Sequence, residues 1–159
     1  FNTFGMGFVA DQGGPNETLY IAGTGLQGAP DALARIDLTS FQVQSVGNFQ
    51  PAISGAELTG TGDGRLFGFY KRTQTSTSSV IGEIDPATAR VIAESPLATV
   101  NQGNGWAFAF WGGDFYMFVG GGTASNVMRF RPSDNSVATV GAVSSLIVGA
   151  GVSTCAPQN

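Results

Sequence analysis

The 159-residue sequence predicts an all-β fold assembled from repeated four-stranded units. Three observations predict it. Similar segments recur at a spacing of about 47 residues. No segment shows a convincing 3.6-residue apolar period. Gly is unusually frequent, at 24 residues, while charged residues make up only 11%, against roughly 25% in an ordinary soluble domain. That composition suits short strands and tight turns better than charged amphipathic helices.

The first strand of each unit is Met6–Asp11, Glu57–Gly62 and Trp106–Trp111. In Trp106-Ala107-Phe108-Ala109-Phe110 large and small side chains alternate, so they fall on opposite faces of a strand. The second strands are Leu19–Ile21, Leu66–Phe69 and Phe115–Phe118, with Tyr20, Phe67 and Tyr116 spaced by 47 and 49 residues. Asp63-Gly64 and Gly112-Gly113 stand between first and second strands and supply the positive φ of a hairpin turn. The third strands, Leu33–Leu38, Ile81–Pro86 and Val127–Pro132, carry Asp37, Asp85 and Arg131 at spacings of 48 and 46. The fourth strands are Phe41–Val46, Arg90–Ile92 and Ser136–Ala138. Ala87–Ala93 is the best helix candidate, but Pro86 precedes it and it holds the β-branched pair Val91-Ile92, so it reads as a turn and a strand. Gly149–Ser153 aligns with Gly55–Thr59 at two periods and reads as the first strand of a fourth unit.

Four strands in 40–50 residues is the pattern of a β-propeller blade, in which a lone sheet cannot bury both faces and blades stack radially. The expected architecture is therefore propeller-like: one domain over 1–159, with blades at 4–50, 51–100 and 101–145 and a partial fourth at 146–159. Three blades and one strand do not close a ring of the usual 4–8 blades. Either a longer chain supplies further blades, or copies self-associate, for instance two chains making one ring. Open edges otherwise invite aggregation. A β-sandwich with coincidental internal similarity is the alternative fold. A chain that opens on Phe1 is compatible with a removed leader or with a longer polypeptide.

Three longer stretches, Ala56–Phe67, Gly105–Tyr116 and Ile147–Pro157, resemble the C-terminal region of secreted or lipoprotein-like proteins of the myxobacterial type. The resemblance extends over most of the chain. It implies an exported, propeller-like bacterial protein, secreted or at the cell surface, whose precursor is longer than 159 residues. It implies no activity and carries no catalytic residues with it.

Composition excludes several chemistries. The absence of His removes Ser-His-Asp and Cys-His catalysis and His-ligated zinc. The single Cys155 allows no intrachain disulfide and reads as a buried, inert thiol. A net charge of −4 argues against nucleic acid. No apolar run reaches the roughly 18–20 residues of a membrane span. Gly120-Gly121-Gly122-Thr123 has no following Lys or helix and is no phosphate loop. Asp11–Glu17 offers several oxygens but no EF-hand pattern, so it reads as a solvated insertion, and no metal or cofactor is expected. Asn16-Glu17-Thr18 is a glycosylation sequon that a bacterial source would leave idle.

Candidate binding residues come from the expected blade geometry. First strands line the central channel, and the long polar loops, such as Gly23–Ala32, Lys71–Ser79 and Pro96–Gly105, gather on one face. The sequence alignment matches Met6, Glu57, Trp106 and Gly151 near the channel mouth. Glu57 and Trp106 form a plausible pair, a hydrogen-bonding carboxylate beside an indole able to stack on a sugar. Asn104 and Arg72, on neighbouring long loops, complete the candidate set, and Lys71-Arg72 is the sole basic pair. The competing reading has Trp106 packed between blades and Glu57 paired with an Arg. The expected function is non-catalytic recognition of a glycan or a protein on the long-loop face, or a structural role. One alternative is a His-independent hydrolase or lyase using channel carboxylates, with Asp11, Glu57, Asp63 and Asp114 as the acids to consider and Asp63 and Asp114 better explained as turn residues. Another is a structural part of a larger ring whose site lies elsewhere.

Overall fold

Among the described residues cross-strand hydrogen bonding divides twelve strands into three antiparallel sheets, and the inner strands of consecutive sheets pack together. The computed structural model describes residues 3–12, 15–24 and 30–159. The Asp11–Glu17 run and the Gly23–Ala32 loop each include residues outside this set. The first sheet is β1 (Phe4–Ala10), β2 (Glu17–Thr24), β3 (Asp31–Ile36) and β4 (Val43–Asn48). The second is β5 (Ser54–Gly60), β6 (Leu66–Lys71), β7 (Ser79–Ile84) and β8 (Val91–Leu97). The third is β9 (Gly105–Trp111), β10 (Asp114–Gly120), β11 (Ser125–Arg131) and β12 (Ser136–Val143). Each runs in simple sequential order. Among the described residues no helix is long and apolar enough to cross a membrane.

The turns between third and fourth strands repeat in detail. Asp37 accepts hydrogen bonds from the Thr39 and Ser40 amides, and Asp85 accepts from the Ala87 amide. The Asp37 and Asp85 carboxyls are held below their usual range, chiefly by hydrogen bonds from Ser40 and Thr88 respectively. Phe41, Ala89 and Asn135 then take positive φ values of 56°, 60° and 55°. The repeat is thus written in the backbone as well as in the side chains. It also moves the start of the first sheet's outer strand to Val43, because Phe41 is spent on the turn.

Register superposes the sheets. Phe8 pairs with Leu19, Gly60 with Leu66, and Phe110 with Phe115. Stepping by two along each strand, Phe4, Met6 and Phe8 correspond to Ala56, Leu58 and Gly60, and to Trp106, Phe108 and Phe110. These define the front faces. Gly5 and Gly7 correspond to Glu57 and Thr59 and to Ala107 and Ala109, on the back faces. Tyr20, Phe67 and Tyr116 remain equivalent, as expected. The match of Met6 with Glu57 and Trp106 does not hold. Five residues separate Gly60 from Leu66 but four separate Phe110 from Phe115, and a one-residue slip moves a side chain to the opposite face.

Back faces meet front faces. Val9, Ala22 and Leu33 of the first sheet pack on Leu58, Leu66, Tyr70 and Ile84 of the second. Phe67, Phe69 and Ile81 of the second pack on Phe108, Phe110, Phe115, Met117 and Phe130 of the third. The first contact is close enough to bring backbones together. A Cβ at Gly5 would stand 2.3 Å from the Ala56 carbonyl oxygen, and one at Gly60 would stand 2.1 Å from that of Phe8. The second contact centres on Phe115, whose ring lies 4.9 Å from Phe67, 5.4 Å from Phe108 and 5.2 Å from Phe110. Such aromatic pairs contribute roughly 0.5–1.5 kcal/mol each beyond burial.

Residues 144–159 do not form the first strand of a fourth sheet. They ladder with none of the described strands, and a strand is defined by its ladder. The segment runs alongside β9 instead. Leu146 covers Gly105 and Gly120, the Ile147 amide donates to Ser125 Oγ at 2.9 Å, and the Pro157 carbonyl accepts from the Gly112 amide at 2.9 Å. The Thr154 hydroxyl bonds Glu17 of β2. Its direction is that of the inner strands, as the sequence alignment implied, but its hydrogen bonds go to loops and side chains. Cys155 lies here and is exposed rather than buried.

Two substitutions, with a third as control, test this packing by urea denaturation. Gly5→Ala should lower stability by about 1–3 kcal/mol through forced backbone separation, whereas Gly121→Ala, with open space around it, should stay within about 0.5 kcal/mol of wild type. Phe115→Ala should cost about 3–5 kcal/mol.

Candidate functional site

Among the described residues three cavities stand out between the sheets, and two of them are repeats of one another. One, of about 320 Å³, opens between the second and third sheets and is lined by Phe67, Gly113 and Pro132 among others. Another, of about 370 Å³, opens between the first and second sheets and is lined by the equivalent Tyr20, Gly64 and Pro86. A gap that recurs at each inter-sheet junction follows from the divergence of stacked sheets. The third cavity, of about 400 Å³, is a repeat of neither. Phe4, Met6, Phe8 and Leu19 form one wall, the inner strand from Glu57 to Gly60 a second, and Val148–Val152 the third.

Among the described residues, Glu57 is the sole ionisable one lining that cavity. It stands where the other two sheets carry Gly5 and Ala107, so it breaks the repeat with a charged side chain at a position otherwise kept small. Among the described residues no hydrogen bond or ion pair reaches its carboxyl; the expected Arg partner is not there. Removal from water pushes its pKa from 4.5 up to about 7. A carboxyl in this state holds its proton through mildly acidic conditions and becomes a lone anion in an apolar cavity above neutrality.

The other candidate residues are committed elsewhere. The Trp106 indole N–H donates to the Gly55 carbonyl at 3.0 Å, and its ring packs against Gly55 and the aromatic core of the second and third sheets. That is the inter-sheet packing weighed against sugar stacking. Arg72 is ion-paired with Glu94, which also accepts the Tyr70 hydroxyl at 2.6 Å. Tyr70 reaches it by lying across Gly82, where a Cβ would be 2.2 Å from the hydroxyl oxygen. Asn104 is exposed, and its amide donates to the Gly120 carbonyl at 2.7 Å. Of the four, Glu57 alone lines any of the three cavities.

The remaining carboxylates do not join Glu57. Asp11 accepts from Thr18 Oγ1 at 2.7 Å and lines the cavity between the first two sheets. Asp63 is bonded by the Thr61 hydroxyl within its own turn. Asp114 lies 3.5 Å from Arg129 and 3.3 Å from Arg131. Gln102 was not legible as important. Fully buried, it donates to the Gly55 and Phe69 carbonyls at 3.1 Å each and fastens the linker before β9 onto the second sheet. A single Gln in a polar loop gives no sequence signal of this.

The comparisons add no family: no protein-family model matches the chain, and no curated protein matches it.

The Glu57 environment has a pH signature. Folded protein keeps the proton until about pH 7, whereas unfolded chain releases it near pH 4.5. The folded state therefore binds more protons in this window, and the Glu57 contribution is full below pH 4.5 and is lost as pH rises through 7. A fully realised shift of this size amounts to about 3 kcal/mol. Denaturation midpoints at pH 5 and pH 8 should accordingly lie closer together in Glu57→Gln than in wild type.

Proposed function

We propose that this chain is an exported, non-catalytic recognition module of propeller-like build, and that its site is the cavity around Glu57. The observation that carries the reading is a carboxyl with no partner among the described residues, set in a largely apolar cavity of about 400 Å³, at an inner-strand position that the other two sheets keep small. Departures from an otherwise consistent repeat are where function is expected, because they cost stability without improving packing. The cavity size falls within the usual range for small-molecule and side-chain pockets.

The lining selects the partner. Apolar walls favour an aromatic or aliphatic group, and an anionic Glu57 favours a cationic or N–H donor beside it. A protein segment presenting an apolar side chain next to an amine or amide meets both demands better than a glycan, since the Trp106 N–H is already bonded to Gly55. Two-carboxylate hydrolysis has less support, because no second carboxylate lines the cavity. Export rests on the sequence: few charges, and a surface rich in Ser, Thr, Gly and Asn.

Phenethylamine and phenylacetate, matched in shape and opposite in charge, test the reading by NMR titration at pH 8. The amine should shift the amide signals of Leu58 and of Val148–Val152, and phenylacetate should not. In Glu57→Gln the preference for the amine should drop at least tenfold. Equal response to both probes in wild type, or no response at these residues, would overturn it.

A further inference from the structure

We propose that the protein segment received at the Glu57 cavity, the reading on which this step rests, binds as an extended strand that adds itself to the unpaired backbone of residues 148–153. Leu146 to Ser153 run without turn or bend. The side chains of Leu146 and Val148 lie against Gly105 of β9, much as the backbone of Ala56 lies against Gly5 of β1. The approach to the segment is anchored as in the first sheet. The Gly55 amide donates to Asp31 Oδ2 at 2.8 Å ahead of the inner part of β5, and the Ile147 amide donates to Ser125 Oγ at 2.9 Å. Asp31 and Ser125 are each the first residue of a third strand. The segment therefore has the seat of an inner strand on the sheet before it.

What the segment lacks is a strand beside it. β1, β5 and β9 each ladder with the second strand of their own sheet. In the stretch of β5 that aligns with Gly149–Ser153, Glu57, Leu58 and Thr59 pair with Phe69, Gly68 and Phe67. Among the described residues no hydrogen bond reaches the amides of Val148–Ser153 or the carbonyls of Val148–Val152. The stretch is also open. Val148 is 65% exposed, and a Cβ at Gly149 or Gly151 would meet nothing within 4 Å. A row of unpaired N–H and C=O groups is a template for another strand.

Both ends of that row are held. Ile147 is bonded to Ser125 at one end. At the other, Thr154 and Ala156 are buried, and the Gly112 amide donates to the Pro157 carbonyl at 2.9 Å. A row fixed before the partner arrives loses less freedom when the partner docks. Strand addition draws affinity from main-chain hydrogen bonds and specificity from alternate side chains. Successive side chains of the added strand point to opposite sides. One set therefore faces the cavity that residues 148–152 wall, where an apolar group beside an amine meets Phe4, Met6, Phe8 and Glu57. The strand that covers the equivalent β5 has that chemistry: β6 is Leu66–Lys71, rich in aromatic side chains and ending in Lys.

A capped peptide with the sequence Arg65–Arg72, which contains β6, is the probe. Added to the purified 159-residue chain at pH 8, it should shift the NMR amide signals of Val148–Ser153 and slow hydrogen exchange at every second one. Two further peptides carry N-methyl groups on alternate backbone amides, one set for each edge of the strand. One of them should bind roughly tenfold or more weakly than the parent, through lost backbone donors, and the other about as well as the parent. Equal weakening by both sets, or by neither, would overturn the proposal. So would a chain that is dimeric without peptide and already protected at these amides, since a second copy would then be the occupant. In Glu57→Gln the contrast between the two methylated peptides should persist, because the pairing is through backbone. Phenethylamine binding without that contrast upholds the cavity reading and overturns strand addition, and the contrast without a preference for the amine does the reverse.

Discussion

Everything in this structure depends on how closely one inner strand can approach the next. A four-stranded sheet of this size has two apolar faces and cannot bury either alone, so the sheets must stack. Between the first two sheets the approach is set by backbone meeting backbone at Gly5 and Gly60, where any Cβ would overlap a carbonyl oxygen. Between the second and third it is set by interlocked phenylalanines around Phe115. The same joint is therefore made by two chemistries, one by deleting side chains and the other by filling with them. The abundance of Gly and Phe, the first feature of the composition to stand out, is the trace of that division.

Repetition also sorts the cavities. Those beside Tyr20 and Phe67 recur with the sheets and are products of stacking. The Glu57 cavity holds a carboxyl where the other sheets keep a small residue, and its third wall is the segment 148–152, which has joined no sheet. An unpaired carboxyl is tolerated there because it can keep its proton below neutrality. The tolerance weakens as pH rises, which couples the state of the cavity to its surroundings through a single group.

Much of the fold was legible because turn and strand chemistry are local. The 46–49-residue spacings, the Asp-Gly and Gly-Gly turns and the alternation in Trp106–Phe110 located all three sheets, and the Asp37 and Asp85 turns are built by bonds within four residues. Glu57 was reached as a carboxylate on an inner strand at the expected channel mouth. Its neighbours were not. Trp106, Arg72 and Asn104 share loops and strand ends in sequence, but their partners Gly55, Glu94 and Gly120 lie across the ladder or on another sheet. The alignment of Glu57 with Trp106 failed for the same reason, since one extra hairpin residue reverses a side chain and only the ladder records it.

The amino-acid sequence by itself determined an all-β chain of three four-stranded units, its turn positions, and the absence of His-based chemistry. Those follow from short-range geometry and from residue types. Tertiary structure alone decided which face each side chain joins, that residues 148–152 wall a cavity instead of starting a fourth sheet, and that Glu57 has no partner among the described residues. Those outcomes depend on cross-strand register and on contacts between sheets, where residues 50 or more positions apart compete for the same space.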